Sequence, residues 1–328
     1  MKKARKIIVI TVITLFIVLA GLLGYVKVAL PDVGPVEELS VEITPERLER
    51  GKYLANHVTV CIDCHSERDW SLFSGPLKSA KIGSGGEKFD HGAGFPGEVY
   101  SPNITPHNLK NWTDGELYRA ITAGVKKDGS AIFPLMPYQS YGKMDKEDIY
   151  SIIAYIRTLP EQASEMPKRK LDFPLNFIVN TIPKKPTPQP IPPANDSIAY
   201  GAYLVNSAGC GECHTKKDGA SPVEGMEFAG GMNFVLPSGS VFSANITPDP
   251  ETGIGKWSRE QFIGRFKAYA DSSYKPAKVG EGEFQTIMPW LMYSGMKDSD
   301  LEAIYAYLKT LKPVKNKVTK FAPKIAKL

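Results

Sequence analysis

The first apolar feature of the chain is an uncharged stretch from Ile7 to Val26. Its length of about 20 residues lets one helix cross a membrane core about 30 Å thick. Four cations precede it, namely Lys2, Lys3, Arg5 and Lys6. This charge distribution predicts that the basic end stays in the cytoplasm and that the rest of the chain crosses the membrane. A signal peptide cleaved after Ala20 is the alternative. The small residues are poorly placed for cleavage, so we favour an uncleaved anchor over residues 1–30.

Further along, apolar residues recur three and four positions apart in two places, which predicts two amphipathic helices. These residues are Ile149, Ile152, Ile153 and Ile156 in one place, and Leu301, Ile304, Tyr305 and Leu308 in the other. Pro160 and Pro313 follow and prevent continuation. Two more helices are expected over residues 45–57 and 197–207. Another pair should begin at capping boxes formed by Thr113 with Glu116 and by Ser258 with Gln261. Alternating strand patterns are scarce, so we expect an all-α fold.

The helices belong to an internal repeat. Six short blocks recur in the same order: Gly51-Lys52-Tyr53-Leu54 with Gly201-Ala202-Tyr203-Leu204, Cys61–His65 with Cys210–His214, Asn103–Pro106 with Asn245–Pro248, Trp112-Thr113 with Trp257-Ser258, Met136-Pro137 with Met288-Pro289, and Asp148–Leu159 with Asp300–Leu311. The sequence therefore predicts two tandem domains of one type, at residues 40–160 (the first copy) and 197–313 (the second copy). Gly51 and Gly201 should let the first and last helices of each copy cross closely, with Tyr155 and Tyr307 packed at the crossing.

All four cysteines lie in two C-x-x-C-H motifs, at Cys61-Ile62-Asp63-Cys64-His65 and Cys210-Gly211-Glu212-Cys213-His214. This pattern is the attachment signature of c-type haem, in which two thiols bond to the vinyl groups and the histidine binds the iron. We therefore expect two covalently bound haem c groups, held by Cys61, Cys64, Cys210 and Cys213, with His65 and His214 as proximal ligands. Half a zinc site, a redox dithiol or two disulfides would leave both adjacent histidines unexplained.

The sixth ligand of each iron should also recur in the repeat. Two methionine pairs do so, Met136 with Met288 and Met144 with Met296. Met144 precedes Asp145, a potential helix cap, and can pack as a hydrophobic staple against Ile149. We therefore expect Met136 and Met288 to be the ligands. The rivals His57, His91 and His107 have no counterparts in the second copy. The N-I-T-P segments, with Trp112 and Trp257, either line a haem edge or form a turn and a core aromatic.

Two segments lie outside the repeat. Residues 161–196 are rich in proline, and the part from Pro183 to Pro193 should be an extended, semi-rigid linker. The apolar residues 175–179 are expected to pack on a domain. The tail, residues 314–328, carries Lys315, Lys317, Lys320, Lys324 and Lys327. We expect it to be solvated, with contact to anionic lipid or an acidic partner as the alternative. The net charge of +5 is otherwise nearly balanced, so nothing indicates a nucleic-acid partner.

Taken together, these blocks resemble the multihaem cytochrome c subunits of bacterial membrane-bound alcohol, aldehyde and gluconate dehydrogenases. The resemblance rests on G-x-Y-L before C-x-x-C-H, on S-x-N-I-T-P, on Gly253-Ile254-Gly255-Lys256-Trp257-Ser258, on Met-Pro-aromatic and on the D-[IL]-x-x-I-x-A-Y helix. It implies class-I-like cytochrome c domains with His/Met-ligated haems. Those subunits usually carry three haem domains, whereas this chain has two C-x-x-C-H motifs.

The resemblance implies an electron carrier of the respiratory chain rather than an enzyme. It would connect a dehydrogenase or quinol-oxidising partner with a terminal oxidase or another acceptor. Its haem domains would face the periplasm from the bacterial inner membrane. A stand-alone anchored shuttle is equally compatible with the motifs. A dihaem peroxidase is the alternative from another class, and it would need acid and base groups over an open iron site. A haem-based gas sensor would need a signalling domain that the sequence does not suggest.

Overall fold

The computed structural model describes residues 2–78, 81–219 and 221–324. Its first element is α1 (Lys2–Val28), and none of its residues is buried against the protein. Among the described residues, α1 alone has the length and apolar composition to cross a membrane, a property that a signal sequence shares. The chain then runs without regular structure until the first copy begins.

The first copy contains the three helices that the sequence predicts and three shorter ones that it does not predict. They are α2 (Pro45–Tyr53), α3 (Cys61–Cys64), α4 (Pro106–Leu109), α5 (Asp114–Ala123), α6 (Tyr138–Tyr141) and α7 (Lys146–Arg157). Of these, α2, α5 and α7 are the predicted helices. The predicted capping box of α5 is present, with Thr113 accepting from the Glu116 N–H while the Glu116 carboxylate accepts from the Thr113 N–H. Asp145 caps α7 by accepting from the Glu147 N–H.

Between the copies lies a short helix, α8 (Leu175–Ile178). The second copy then repeats the order with α9 (Ser197–Ser207), α10 (Cys210–His214), α11 (Arg259–Lys267), α12 (Trp290–Tyr293) and α13 (Asp298–Thr310). The second predicted capping box, Ser258 with Gln261, is also present.

The first copy holds one residue more than the second between the first helix and the cysteines. From Gly51 to Cys61 is ten positions, and from Gly201 to Cys210 is nine. A π-helical turn over Leu54–Val58 continues α2 and absorbs this residue, with the Thr59 N–H bonded to the Leu54 carbonyl five positions back. The rest of the first helix therefore keeps the same register as its counterpart in the second copy.

The crossing of the first and last helices is as predicted in both copies. A Cβ added to Gly51 would lie 1.8 Å from the Ser151 carbonyl oxygen, and one added to Gly201 would lie 1.9 Å from that of Ala303. Tyr155 and Tyr307 are the next side chains at these crossings, each with its Cβ 2.9 Å from the added atom. Only glycine permits this approach, so α2 packs on α7 and α9 on α13 at backbone contact.

The expectation of an all-α fold is not confirmed. The described ranges contain three small sheets built from β1 (Lys88–Phe89), β2 (Gly97–Tyr100), β3 (Lys170–Leu171), β4 (Lys217–Asp218), β5 (Ser221–Pro222), β6 (Asn233–Leu236), β7 (Gly239–Phe242) and β8 (Phe321–Pro323). Strands of two to four residues are too short to show an alternating pattern. Their partners also lie far along the chain, as with β3 on β2 and β8 on β7.

These sheets show that the structural repeat extends beyond the last helix of each copy. After α7 the chain returns as β3 to pair with the hairpin of β1 and β2. After α13 it returns as β8 to pair with the hairpin of β6 and β7. Residues 314–324 of the tail are thus partly bound to the second copy, whereas Lys327 lies outside the described residues.

The proline-rich segment lies along the first copy. The Thr187 N–H donates to the Gly142 carbonyl at 2.8 Å, and the Gln189 N–H donates to the Lys143 carbonyl at 3.1 Å. Of the apolar residues 175–179, which were expected to pack on a domain, Val179 is buried, whereas Ile178 is exposed. This segment therefore has fixed contacts with the protein.

The two copies pack together through equivalent residues. The Tyr53 hydroxyl donates to Asp300 at 2.6 Å, and the equivalent Tyr203 hydroxyl donates to Asp148 at 2.6 Å. In a second matched pair, His57 Nδ1 donates to the Met292 carbonyl at 2.8 Å, and Asn206 Nδ2 donates to the Ser140 carbonyl at 2.8 Å. Each of these contacts from the first copy to the second thus has a counterpart that runs from the second copy to the first. These four bonds are arranged as if about a two-fold axis.

Candidate haem sites

Each cysteine pair is carried by a short helix, α3 or α10. The residue before each helix has left-handed backbone, Val60 with φ 46° and Gly209 with φ 64°. This conformation turns the chain sharply from the first helix of the copy into the C-x-x-C-H turn. Both motifs therefore have the same local geometry.

The histidines of the two motifs make matched hydrogen bonds. His65 Nδ1 lies 2.8 Å from the Pro102 carbonyl oxygen, and His214 Nδ1 lies 2.7 Å from that of Ala244. Because a carbonyl only accepts, each Nδ1 carries the proton and each Nε2 is left with a free lone pair. A hydrogen bond of this kind, made by the ring nitrogen that does not bind the metal, fixes the ring of a histidine ligand. Burial also lowers the pKa of both rings, which favours the neutral form that iron ligation requires.

The N-I-T-P blocks supply those carbonyl groups, because Pro102 and Ala244 immediately precede Asn103 and Asn245. Asn245 Oδ1 accepts from the N–H and hydroxyl of Thr247, at 2.9 and 2.7 Å. Asn245 Nδ2 donates to the Val314 carbonyl at 2.8 Å.

Asn103 makes the corresponding bonds in the first copy. It accepts from Thr105 and donates to the carbonyl groups of Gln162 and Ser164. Each block therefore joins three parts of a copy, namely the histidine, the turn and the chain after the last helix. The sequence marked these blocks as recurrent, but the role of the preceding carbonyl depends on the backbone path.

All four thiols are free of disulfides. Desolvation by the surrounding protein raises the pKa of Cys210 to about 12 and that of Cys213 to about 11. Such thiols lack the lowered pKa of a redox dithiol. Within residues 2–78, 81–219 and 221–324, no group of three His, Cys, Asp or Glu side chains could hold a metal ion. The donor set therefore fits covalent haem better than zinc.

The methionines proposed as sixth ligands lie in loops just before α6 and α12. Met136 and Met288 are partly buried and pack against the hydrophobic core. The other recurrent pair, Met144 and Met296, is 1% exposed and belongs to the core itself. These locations suit a ligand role for the first pair and a packing role for the second.

A buried tyrosine ties each methionine loop to its haem motif. The Tyr141 hydroxyl donates to the Thr59 carbonyl at 2.9 Å, and the Tyr293 hydroxyl donates to the Ala208 carbonyl at 2.7 Å. Burial raises the pKa of both phenols well above the ordinary value, so they remain donors at neutral pH. Both stand five residues after their methionine. Sequence reasoning did not single them out, although their equal spacing was a usable signal.

The rival histidines have other surroundings. His57 Nδ1 is engaged at the contact between the copies. His91 Nε2 lies 2.7 Å from the exposed carboxylate of Asp172. His107 lies within α4. Of the two tryptophans that recur in the repeat, Trp112 packs against the core, whereas Trp257 is 37% exposed.

One loop of the first copy also contacts the methionine loop of the second. Ser74 Oγ donates to the Met288 carbonyl at 2.7 Å, and the Ser74 N–H donates to Gln285 Oε1 at 2.9 Å. Gln285 Nε2 donates in turn to the Trp70 and Leu72 carbonyl groups. The backbone that carries Met288 is thus held by residues of the other copy.

Comparisons with known proteins agree with this geometry. Residues 198–312 match the family described as cytochrome c. The chain is 29% identical over 285 residues to the cytochrome c subunit of the quinone alcohol dehydrogenase of Gluconacetobacter polyoxogenes, with 81% of this chain and 56% of the relative covered. It is 29% identical over 295 residues to the fructose dehydrogenase cytochrome subunit of Gluconobacter japonicus, with 84% and 55% covered.

A shorter relative is covered more fully. The diheme cytochrome c-type protein of Cereibacter sphaeroides is 29% identical over 262 residues, which are 76% of this chain and 81% of the relative. By contrast, the chain spans little more than half the length of the dehydrogenase subunits. Residues 198–312 thus match the cytochrome c family, and the expected resemblance is confirmed. The chain is similar to the cytochrome c subunit of a quinone alcohol dehydrogenase, to the cytochrome subunit of a fructose dehydrogenase and to the cytochrome c subunit of a gluconate 2-dehydrogenase.

Proposed function

We propose that this chain is a membrane-anchored dihaem c-type cytochrome, built from two tandem, mainly helical, class-I-like cytochrome c domains. Cys61 and Cys64 would hold the first haem and Cys210 and Cys213 the second. The irons would be ligated by His65 with Met136 and by His214 with Met288. The observation that carries the proposal is the matched bond from Nδ1 of each motif histidine to a backbone carbonyl, 2.8 and 2.7 Å long.

When bound, each haem would supply a one-electron couple, and the residues of the chain would hold it in one geometry. The Pro102 and Ala244 carbonyl groups fix the histidine rings. Tyr141 and Tyr293 tie the methionine loops to the cysteine turns. Ligation by a thioether would raise the reduction potential of each haem. Residues that hold both the histidine and the methionine loop in place would suit an electron carrier.

The relatives suggest a direction for the electrons. They are named as cytochrome subunits of dehydrogenases that oxidise alcohol, fructose and gluconate. We infer that this chain accepts electrons from a dehydrogenase or quinol-oxidising partner and passes them to a terminal acceptor. With α1 in the inner membrane and the cationic N-terminus in the cytoplasm, both haems would face the periplasm. A peroxidase is not favoured, because these relatives are named as cytochrome subunits.

A spectroscopic redox titration of the purified protein tests the proposal. Two reversible one-electron steps, with the weak far-red band of methionine-ligated ferric haem, are the expected result. A single haem per chain would remove the dihaem assignment. Strong binding of carbon monoxide by either reduced haem would show that the methionine assigned to that haem is wrong.

A further inference from the structure

A short segment between the copies lies against the end of α1. Residues 173–181, termed here the interfacial segment, comprise α8 and a 3₁₀ turn over Val179–Thr181. Asn180 Nδ2 donates to the Val26 carbonyl oxygen at 3.4 Å, and Lys27 Nζ lies 5.9 Å from the ring centroid of Phe177. The segment is therefore attached to the last turn of α1.

The length of α1 determines the depth of this contact in the membrane. Its uncharged stretch starts at Ile7 and ends at Val26. At a rise of 1.5 Å per residue it is about 30 Å long, which matches the hydrocarbon thickness of a bilayer. Val26 then lies at the boundary between acyl chains and headgroups. A segment bonded to the Val26 carbonyl lies at the same boundary.

Two large apolar side chains of the segment are unusually exposed. Phe173 is 74% exposed and Ile178 is 47% exposed, whereas the neighbouring Val179 is 1% exposed. Val179 thus fixes the segment to the protein while the other two side chains remain uncovered. Three exposed lysines, Lys27, Lys184 and Lys185, lie beside it in the chain or in space. Apolar side chains flanked by cations are typical of segments that lie in the surface of an anionic membrane.

We propose that the interfacial segment is a second membrane contact, with Phe173 and Ile178 inserted at the outer ends of the acyl chains. The proposal rests on the insertion of α1 that is proposed above. Since β3 directly precedes the segment and pairs with β2, this contact also sets the orientation of the first copy on the membrane. A single helix alone would leave that copy free to rotate about its attachment.

Lipid photocrosslinking of the full chain tests this contact. The protein is reconstituted in vesicles of phosphatidylethanolamine and phosphatidylglycerol that contain a phospholipid with a diazirine near its glycerol. After illumination and proteolysis, mass spectrometry maps the lipid adducts. We expect adducts on the peptide that holds Phe173 and Ile178, and on α1. The peptide that holds Phe284, which is 46% exposed in the second copy, should stay unlabelled and controls for exposure alone.

Variants sharpen the test. In the double variant Phe173→Ser and Ile178→Ser, the yield of lipid adducts on the interfacial segment should fall to that of the peptide that holds Phe284. Labelling of α1 should persist. Phe284→Ser should leave the yield on the segment unchanged. Labelled α1 beside an unlabelled wild-type segment overturns the proposal and leaves the anchor standing. If neither is labelled, the anchor itself is wrong, and the second contact is overturned with it.

Discussion

At the scale of single residues, Ser74 connects the first copy to the proposed iron ligand of the second. It is 2% exposed and has left-handed backbone with φ 64°. Its hydroxyl donates to the carbonyl of Met288, and its N–H donates to Gln285. Ser74 stands in no block of the repeat, so its role could not be read from the sequence. Only the packing of the copies brings it to the methionine loop.

Replacing Ser74 by Ala removes one donor and leaves the Met288 carbonyl without its partner. We expect the free energy of unfolding to fall by about 1 kcal/mol, which is typical for one buried hydrogen bond. In a redox titration, the step of the second haem should shift while that of the first stays in place. The control Ser71→Ala removes an exposed hydroxyl of the same loop that, among the described residues, donates to Asp69 alone. Equal shifts of both steps would contradict the assigned role.

Gly209 adopts a left-handed conformation that Val60 adopts at the equivalent position of the first copy. It precedes α10 with φ 64°, where a β-branched side chain costs about 1–2 kcal/mol. Gly209→Val should lower the free energy of unfolding by that amount, measured by denaturant titration. Gly209→Asn should cost less, because asparagine tolerates left-handed backbone. Equal losses of unfolding free energy for both variants would mean that steric crowding, and not the backbone angle, causes the loss.

At the scale of elements, the longer helices of each copy could be predicted, whereas the helices of four or five residues and the strands could not. The apolar spacing of α7 and α13, the two capping boxes and the glycine crossings are local patterns, and the structure bears them out. β3 and β8 are two and three residues long, and each pairs with a hairpin far back in the chain. Such pairing depends on the path of the whole copy.

The candidate sites also contain some residues that the sequence predicts and others that it does not. The cysteines and histidines follow from their motif, and the recurrence of Met136 and Met288 makes them the expected ligands. The carbonyl groups of Pro102 and Ala244 could not be predicted, because a backbone acceptor has no residue signature. Asn103 and Asn245 were visible only as parts of a repeated block.

Asn245→Ala tests the element that positions His214. The variant removes two accepted and two donated bonds at a residue that is 5% exposed. We expect a loss of about 2–3 kcal/mol in unfolding free energy, since buried partners are left unsatisfied. The absorption spectrum of the second haem should change as the Ala244 carbonyl moves. Asn233→Ala, at an exposed site on β6, should stay within about 0.5 kcal/mol of the wild type. An unchanged spectrum would argue against the positioning role.

At the scale of the whole molecule, the contact between the copies is symmetric in position but not in charge. Asp148 accepts from Tyr203 and also pairs with Arg50 at 2.8 Å. Asp300 accepts from Tyr53 at 2.6 Å. Tyr200 stands where the first copy has Arg50, and its hydroxyl donates to Asp300 at the longer distance of 3.4 Å. In the part of the chain that the structure describes, Asp300 has no cationic partner. Asp300 therefore depends more on its tyrosine than Asp148 does.

This difference predicts unequal costs for two equivalent substitutions. Tyr53→Phe should lower the free energy of unfolding by about 2–3 kcal/mol, and Tyr203→Phe by about 1–2 kcal/mol, the range for hydrogen bonds to charged groups. Denaturant titration of the full chain measures both. Tyr100→Phe is the control, because its hydroxyl has no hydrogen bond to the described residues. A larger loss of unfolding free energy for Tyr203→Phe than for Tyr53→Phe would contradict this prediction.

The reciprocal contacts also bear on the origin of the chain. A surface on which Tyr53 meets Asp300 while Tyr203 meets Asp148 is self-complementary, as in a two-fold homodimer. One copy with this surface would pair with a second, identical copy. The fused chain then corresponds to a covalent dimer, in which residues 161–196 keep the halves at high effective concentration. Because the two halves belong to one chain, their sequences need not be identical. Two differences could not exist in a homodimer: Arg50 is replaced by Tyr200 at the equivalent position, and the Ser74 loop contacts Met288 but has no counterpart at Met136 among the described residues. These differences would give the two proposed haems different environments.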